Sequence, residues 1–352
     1  MMIETDRLRM HCPVTGPADG VPVVMVHGLL ATGRFFDHLA PRLPAGYRLL
    51  LPDMRGHGRT EPAPIDATRG LRDWADDLDA LLRALDVRRP VHLVGWSTGG
   101  AAVMTYALAR QAGAYQDPPP IASITLIGPV GPYGFGGSRL DGTPCAPDWA
   151  GAGGGVGSPE VVARIVAGDR SDASPFAPRS MLGTAYWAPE HREPAEREDL
   201  LVDEVLRTLT GDDGYPGDSV PSPNWPGFAP GTRGILNAIS GRYCNWSGVV
   251  DLDPKPPVLW THGARDVVIA DGSAWDVANL GKAGILPGWP GADAFPPQPM
   301  VSQIRAVLER YREAGGRVET HLFEESGHFP VIDATGRWLA VFLDFLRSVS
   351  VG

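Results

Sequence analysis

Gly95-Trp96-Ser97-Thr98-Gly99 follows an apolar run at residues 91–94 and leads into a helical stretch from Thr98 to about Gln111. Strand, tight turn and helix in that order hold a serine where its backbone is strained and its hydroxyl stands in the open. Small residues two before and two after it, here Gly95 and Gly99, keep neighbouring chain from colliding. The helix points its N-terminus and unpaired N–H groups at any negative charge that develops beside the serine. A hydroxyl near neutral pH is a poor nucleophile. Ser97 therefore needs a histidine to take its proton, a carboxylate to orient that imidazole, and donors to hold an oxyanion.

The elements that must supply these groups are legible in the periodicity. Continuous apolar runs at 23–26, 47–52, 91–94, 121–127 and 257–260 have the pattern of parallel strands buried on both faces, and residues 317–323 form the last strand. Residues 3–14 form an opening hairpin or strand. Between these runs lie a short helix at 35–43, a helix at 71–85 with Leu71, Trp74, Leu78 and Leu82 on one buried face, and a helix at 301–311; Trp338, Phe342 and Phe345 are core positions of a closing helix. Asp73, Asp76, Asp77 and Asp79 read as the solvated side of their helix. The alternation stops at residue 130 and returns near 252. Within that stretch Ser158-Pro159-Glu160 looks like a capped helix start, and 196–209 and 231–240 read as helices. Residues 271–300 read as a long loop rich in proline, glycine and tryptophan, of the kind that is often functional.

The elbow resembles the nucleophile turn of the α/β-hydrolase superfamily, and so do His27-Gly28-Leu29-Leu30 after the strand at 23–26 and Asp53-Met54-Arg55-Gly56-His57-Gly58 after the strand at 47–52. Gly263-Ala264-Arg265-Asp266 resembles the place where that superfamily presents its acid, and Ser326-Gly327-His328 its histidine. The resemblance implies an α/β fold with a mostly parallel central sheet, helices on both faces, and a mainly helical or irregular cap inserted before the acid-bearing strand. Residues 1–129 and 251–352 would form the core and 130–250 the cap. It implies Ser97 as nucleophile, His328 as base and Asp266 as acid, with Asp271 or Asp276 as substitutes for the acid. The backbone N–H groups of Leu29 and Thr98 would form the oxyanion hole. His27 reads as a hydrogen-bonded turn residue and His57 as part of a loop tied down by Asp53 and Arg55. Leu30, Trp96, Tyr133, Tyr186, Trp187, Val267 and Phe329 are the expected pocket residues, with Trp96 either walling the acyl pocket or packing in the core.

The reaction implied is cleavage of a carboxylic ester or lactone of a medium-sized, largely apolar small molecule through an acyl-enzyme. A carbon–carbon bond hydrolase, an amidase or a cofactor-free perhydrolase would use the same residues, and a non-catalytic ligand-binding protein on this fold is the remote alternative. Serine at the elbow argues against dehalogenases and epoxide hydrolases of this superfamily, which carry aspartate there. A formal net charge of -10 argues against nucleic acid or an anionic membrane as partner. The scattered histidines and the absence of a phosphate-cradling glycine loop argue against a metal, a nucleotide or any other cofactor. Cys12, Cys145 and Cys244 have no metal-type spacing and leave one Cys145–Cys244 bridge open. With no leader-like start and no run of about eighteen apolar residues, the expected location is the cytoplasm.

Overall fold

The computed structural model describes residues 1–349. Its central sheet has seven strands: β1 (Val14–Thr15), β2 (Val21–Val26), β3 (Tyr47–Leu50), β4 (Val91–Trp96), β5 (Ile121–Ile127), β6 (Val258–Gly263) and β7 (Val318–Phe323), in the spatial order β7-β6-β5-β4-β2-β3-β1. All neighbours are parallel except β1 against β3. Every residue of β4 and β6 is buried, as expected of parallel strands covered by helices on both faces, whereas β7 at the edge is mostly half-exposed. The parallel registers Val26↔Gly95 and Gly263↔Phe323 bring the ends of β2, β4, β6 and β7 to one rim. That rim is where open α/β sheets bind ligands.

Helix α1 (Arg72–Ala84) and helix α2 (Thr98–Gln111) pack together against the sheet. The aspartates of α1 correct the expectation of a solvated face. Asp77 is fully buried, and Asp73, Asp76 and Asp79 are nearly so. Arg55 grips Asp77 with Nε and Nη2, both at 2.8 Å, and Arg7 Nε adds a third bond at 2.6 Å. Arg69 and Arg72 bind Asp76, and Arg83 binds Asp79. Guanidiniums from the opening hairpin (Met2–Glu4 with Arg9–His11) and from the loop after β3 thus turn a charged helix face into an interior one. Helical spacing cannot show that, because the partners come from other elements.

Between β5 and β6 lie α3 (Pro159–Val166), α4 (Ala195–Val205) and short helical turns, with two small strand pairs, Thr210–Gly211 beside Tyr215–Pro216 and Ser219–Pro221 beside Phe228–Pro230. Those pairs are too short for the sequence pattern to reveal. Ser158 precedes α3, but its side chain makes no capping bond. The stretch read as a long loop carries α5 (Val277–Lys282), capped by the Asp276 side chain, and ends at α6 (Met300–Glu313). Helix α7 (Thr335–Val349) closes the core through Trp338, whose indole donates to Thr261 Oγ1 at 3.2 Å. All three cysteines are free, so Cys145 and Cys244 are not bridged. Among the described residues no helix is long and apolar enough to cross a membrane.

Candidate active site

Ser97 sits between β4 and α2 with φ 54° and ψ −117°, a conformation that costs a side-chain-bearing residue about 1–3 kcal/mol. The turn can close because its flanks lack side chains: a Cβ on Gly95 would stand 2.6 Å from Gly100 Cα, and one on Gly99 2.6 Å from His27 O. The serine backbone is held from two sides, its N–H donating to Ile127 O at 2.9 Å and its C=O accepting from Val130 N at 3.0 Å. Clamped in this way, Ser97 lines a deep apolar cavity together with His328.

Asp266 follows β6 and His328 follows β7. His328 Nδ1 donates to Asp266 Oδ2 at 2.7 Å, which leaves Nε2 without a proton and free to accept one. The other carboxylate oxygen accepts from the Val268 and Ile269 amides at 2.8 and 2.9 Å. Burial by itself would raise this carboxyl. The charge and hydrogen bond of His328 outweigh it, with His262 and the Ile269 amide adding to them, and hold Asp266 below its ordinary range. Gly128, at φ +43°, makes room for the pair, since a Cβ there would stand 3.1 Å from both Asp266 Oδ2 and His328 Nδ1. Neither Asp271 nor Asp276 is so placed: Asp271 accepts from Ser302, and Asp276 caps α5.

One residue of this constellation escaped sequence reasoning. His262 Nε2 lies 3.5 Å from Asp266 Oδ2, the oxygen that His328 also holds, and donates to Ile269 O at 2.9 Å. Its position four residues before the acid was the only available signal. His27 was read as a turn residue, and its bonds are more specific than that. The Met54 amide donates to Nε2 at 2.9 Å, so the proton is on Nδ1, which donates to Gly28 O at 2.7 Å. That bond orients the Gly28–Leu29 peptide, whose N–H is the expected oxyanion donor. Burial keeps this imidazole neutral by pushing its pKa down. His57 lies apart from the site, with its pKa driven to about 3, chiefly by burial and by the neighbouring His27.

The donor loop is also held from its other side. Tyr186 Oη donates to Leu29 O at 2.6 Å, and the Tyr186 carbonyl accepts from the Phe329 amide at 2.7 Å, so one residue ties the Leu29 loop to the histidine loop. Leu30 takes φ 50° in that loop. Trp96 both walls the cavity and packs in the core: its ring stacks on Phe329 at 4.0 Å, and its Nε1 donates to His328 O at 3.1 Å.

The cavity has a volume of ≈ 590 Å³. Leu29, Leu30, Trp96, Thr98 and Tyr186 line it as expected, but four other expected residues do not. Tyr133 instead accepts from Arg310 on the outside, and Val267, though next to the acid, is 38% exposed. Trp187 packs on His191, and Phe329 lies behind Trp96. Their places are taken by Gly153, residues 155–158 and Val161, by Phe176, Met181 and Phe228, and, from the 271–300 stretch, by Trp275, Leu280 and Ile285. Proximity in sequence to the triad positions was a poor guide, because distant segments fold over the rim.

A family model described as the alpha/beta hydrolase fold matches residues 21–143, which hold β2 to β5 and the elbow. An esterase from Rhodococcus sp. superposes over 99% of this chain and 98% of its own, with a TM-score of 0.59 at 20% identity. The chain has the α/β-hydrolase fold. Curated relatives share shorter stretches. The magnesium-chelatase 30 kDa subunit of Rhodobacter capsulatus is 40% identical over 94 residues, 27% of this chain and 32% of the relative. The non-heme chloroperoxidase of Streptomyces lividans is 36% identical over 118 residues, 33% of this chain and 40% of the relative. The chain thus spans less than half the length of either. Names so different attached to one shared stretch mean that activity has to be argued from the site.

Proposed function

We propose that this α/β-hydrolase is a serine hydrolase that cleaves carboxylic ester or lactone bonds of neutral, largely apolar small molecules. The observation that carries the reading is the buried Asp266–His328 pair at 2.7 Å, opening on the same cavity as the strained Ser97. His328 Nε2 takes the hydroxyl proton as Ser97 Oγ bonds to the carbonyl carbon, and Asp266 stabilises the resulting imidazolium. The Leu29 and Thr98 amides receive the oxyanion, a contribution of about 3–4 kcal/mol for each donor. The carbon–oxygen bond breaks as the imidazolium protonates the leaving alkoxide. Water then gives a proton to His328 and its hydroxyl to the acyl carbon, and the imidazolium returns that proton to Ser97 Oγ as the acyl–serine bond breaks, releasing acid and free Ser97. Residues 130–250 act in this reading as a cap, supplying with the 271–300 stretch most of the apolar wall. No Asp, Glu, Lys or Arg lines the cavity among the described residues, which supports neutral substrates.

Ser97→Ala is expected to lower turnover of an activated ester by about 10⁴-fold or more, and a fluorophosphonate should label Ser97 in the wild-type protein. Retained activity, or a folded protein left unlabelled, would remove Ser97 from the mechanism. A panel of esters, lactones, amides and diketones separates the ester reading from amide or carbon–carbon cleavage.

A further inference from the structure

Beyond Ser97 and His328 the cavity wall is apolar except for a few hydroxyls; two of their protons are committed, and Thr98 Oγ1 is unpaired but sealed inside the protein. Thr184 donates to Ser180 O at 2.8 Å, and Tyr186 donates to Leu29 O. Tyr215 differs. It lines the cavity, is only 3% exposed, and its phenol has no hydrogen-bond partner among the described residues. Nor is its oxygen sealed inside the protein, as the unpaired Tyr106 Oη and Trp260 Nε1 are, so it opens on the cavity.

Tyr215 lines the same cavity as Ser97 and as Tyr186, which grips the donor loop. Burial raises the Tyr215 phenol, so it remains a proton donor wherever the protein is folded. A Cβ on Gly157 would lie 2.9 Å from Pro216 Cγ, so the chain just before Ser158 packs against the proline that follows Tyr215. Ser158, whose hydroxyl leaves its own helix uncapped, brings a second polar group to the same patch of wall. An all-hydrocarbon substrate filling the cavity would strip water from the phenol and leave a buried donor unpaired, at a cost in affinity. A substrate with an oxygen at that point would avoid the cost, and the uncharged wall requires that oxygen to be neutral.

We propose that Tyr215 forms a specificity subsite whose O–H donates to a second, neutral oxygen of the substrate, a hydroxyl, ether or ketone, on an otherwise apolar ester or lactone. The subsite rests on the serine-hydrolase reading, and its test separates the two. Nitrophenyl esters are prepared in which an ether oxygen or ketone replaces one methylene at successive positions of the acyl chain, with a parallel series in the alcohol of alkyl esters. Each kcat/KM is divided by that of the methylene parent and normalised to the corresponding ratio for hydroxide hydrolysis. The wild-type protein is expected to favour the oxygenated member by about tenfold at one or two positions, and Tyr215→Phe to bring that ratio close to one. Tyr215→Leu serves the same comparison if the phenylalanine variant does not fold. A normalised ratio of one or less at every position in the wild-type protein, or a preference that survives in the variants, overturns the subsite. Fluorophosphonate labelling of wild-type Ser97 does not involve Tyr215. Labelled Ser97 with flat ratios removes the subsite alone, while unlabelled Ser97 in folded protein removes the hydrolase reading beneath it.

Discussion

Tyr186 shows how much of this site depends on bonds to backbone. Its hydroxyl fixes the Leu29–Leu30 peptide from above, as His27 fixes the Gly28–Leu29 peptide from below. An oxyanion donor contributes only if it is already aimed when charge develops, because reorientation during the reaction would consume the gain. Tyr186→Phe keeps the ring that packs at 5.1 Å against Trp96 and removes only the clamp. The expected result is a fall in kcat of about tenfold with KM little changed, the signature of an interaction made in the transition state. A rise in KM at unchanged kcat would instead make Tyr186 a simple wall of the cavity.

At the scale of elements, one buried carboxylate helps to join the segment between β5 and β6 to the core. Glu204, on α4, accepts from Thr32 Oγ1 at 2.8 Å and from Arg59 at 3.0 and 3.2 Å, while being 1% exposed. Thr32 lies just beyond the donor loop and Arg59 in the glycine-rich loop after β3, so α4 is tied to both. Removing the carboxylate leaves the Thr32 hydroxyl buried without its partner and the partly exposed Arg59 without its counter-charge. Glu204→Ala is expected to lower stability by about 3 kcal/mol, read from chemical denaturation, and Glu204→Gln, which keeps the shape and the threonine bond, by clearly less. Equal losses in the two variants would mean that packing, and not the ion pair, holds α4 in place.

Across the whole molecule the buried histidines set the acid limit. Burial lowers His57 to about 3, with help from His27, and lowers His92 to about 4, with His92 Nδ1 paired to Ser123 Oγ at 2.8 Å. An unfolded histidine titrates near 6.5. Between that pH and the folded values the unfolded chain binds more protons than the native one, so stability falls as pH falls. At pH 5 the expected loss is about 2 kcal/mol for each of these residues relative to pH 7.5. The depressed carboxyls of Asp53, Asp76 and Asp266 act lower down: their contribution is complete above the unfolded value near 4 and is lost as pH drops through their folded values. Denaturant unfolding at a series of pH values should therefore show stability declining from about pH 6.5 and steepening below 4. A flat profile between 7 and 5 would contradict neutral buried histidines.

The sequence by itself determined the parts of this protein that local rules govern. Parallel strands buried on both faces must read as continuous apolar runs, and a serine forced into a strained turn must have small neighbours, so β2 to β6 and the Ser97 elbow were legible. Asp266 and His328 were legible through motif and chain order, and the fold brings them to 2.7 Å because β6 and β7 pair in register. Tertiary structure decided what depends on partners from elsewhere in the chain. It buried the α1 aspartates under arginines from two other elements, set His262 beside the acid, and made Tyr186 a clamp. It also exchanged Tyr133, Trp187, Val267 and Phe329 as wall residues for Phe176, Phe228, Trp275 and Tyr215. The physical reason is the same in each case: spacing along a chain records which face of an element is apolar, while the identity of the group opposite it is settled only when distant segments fold together.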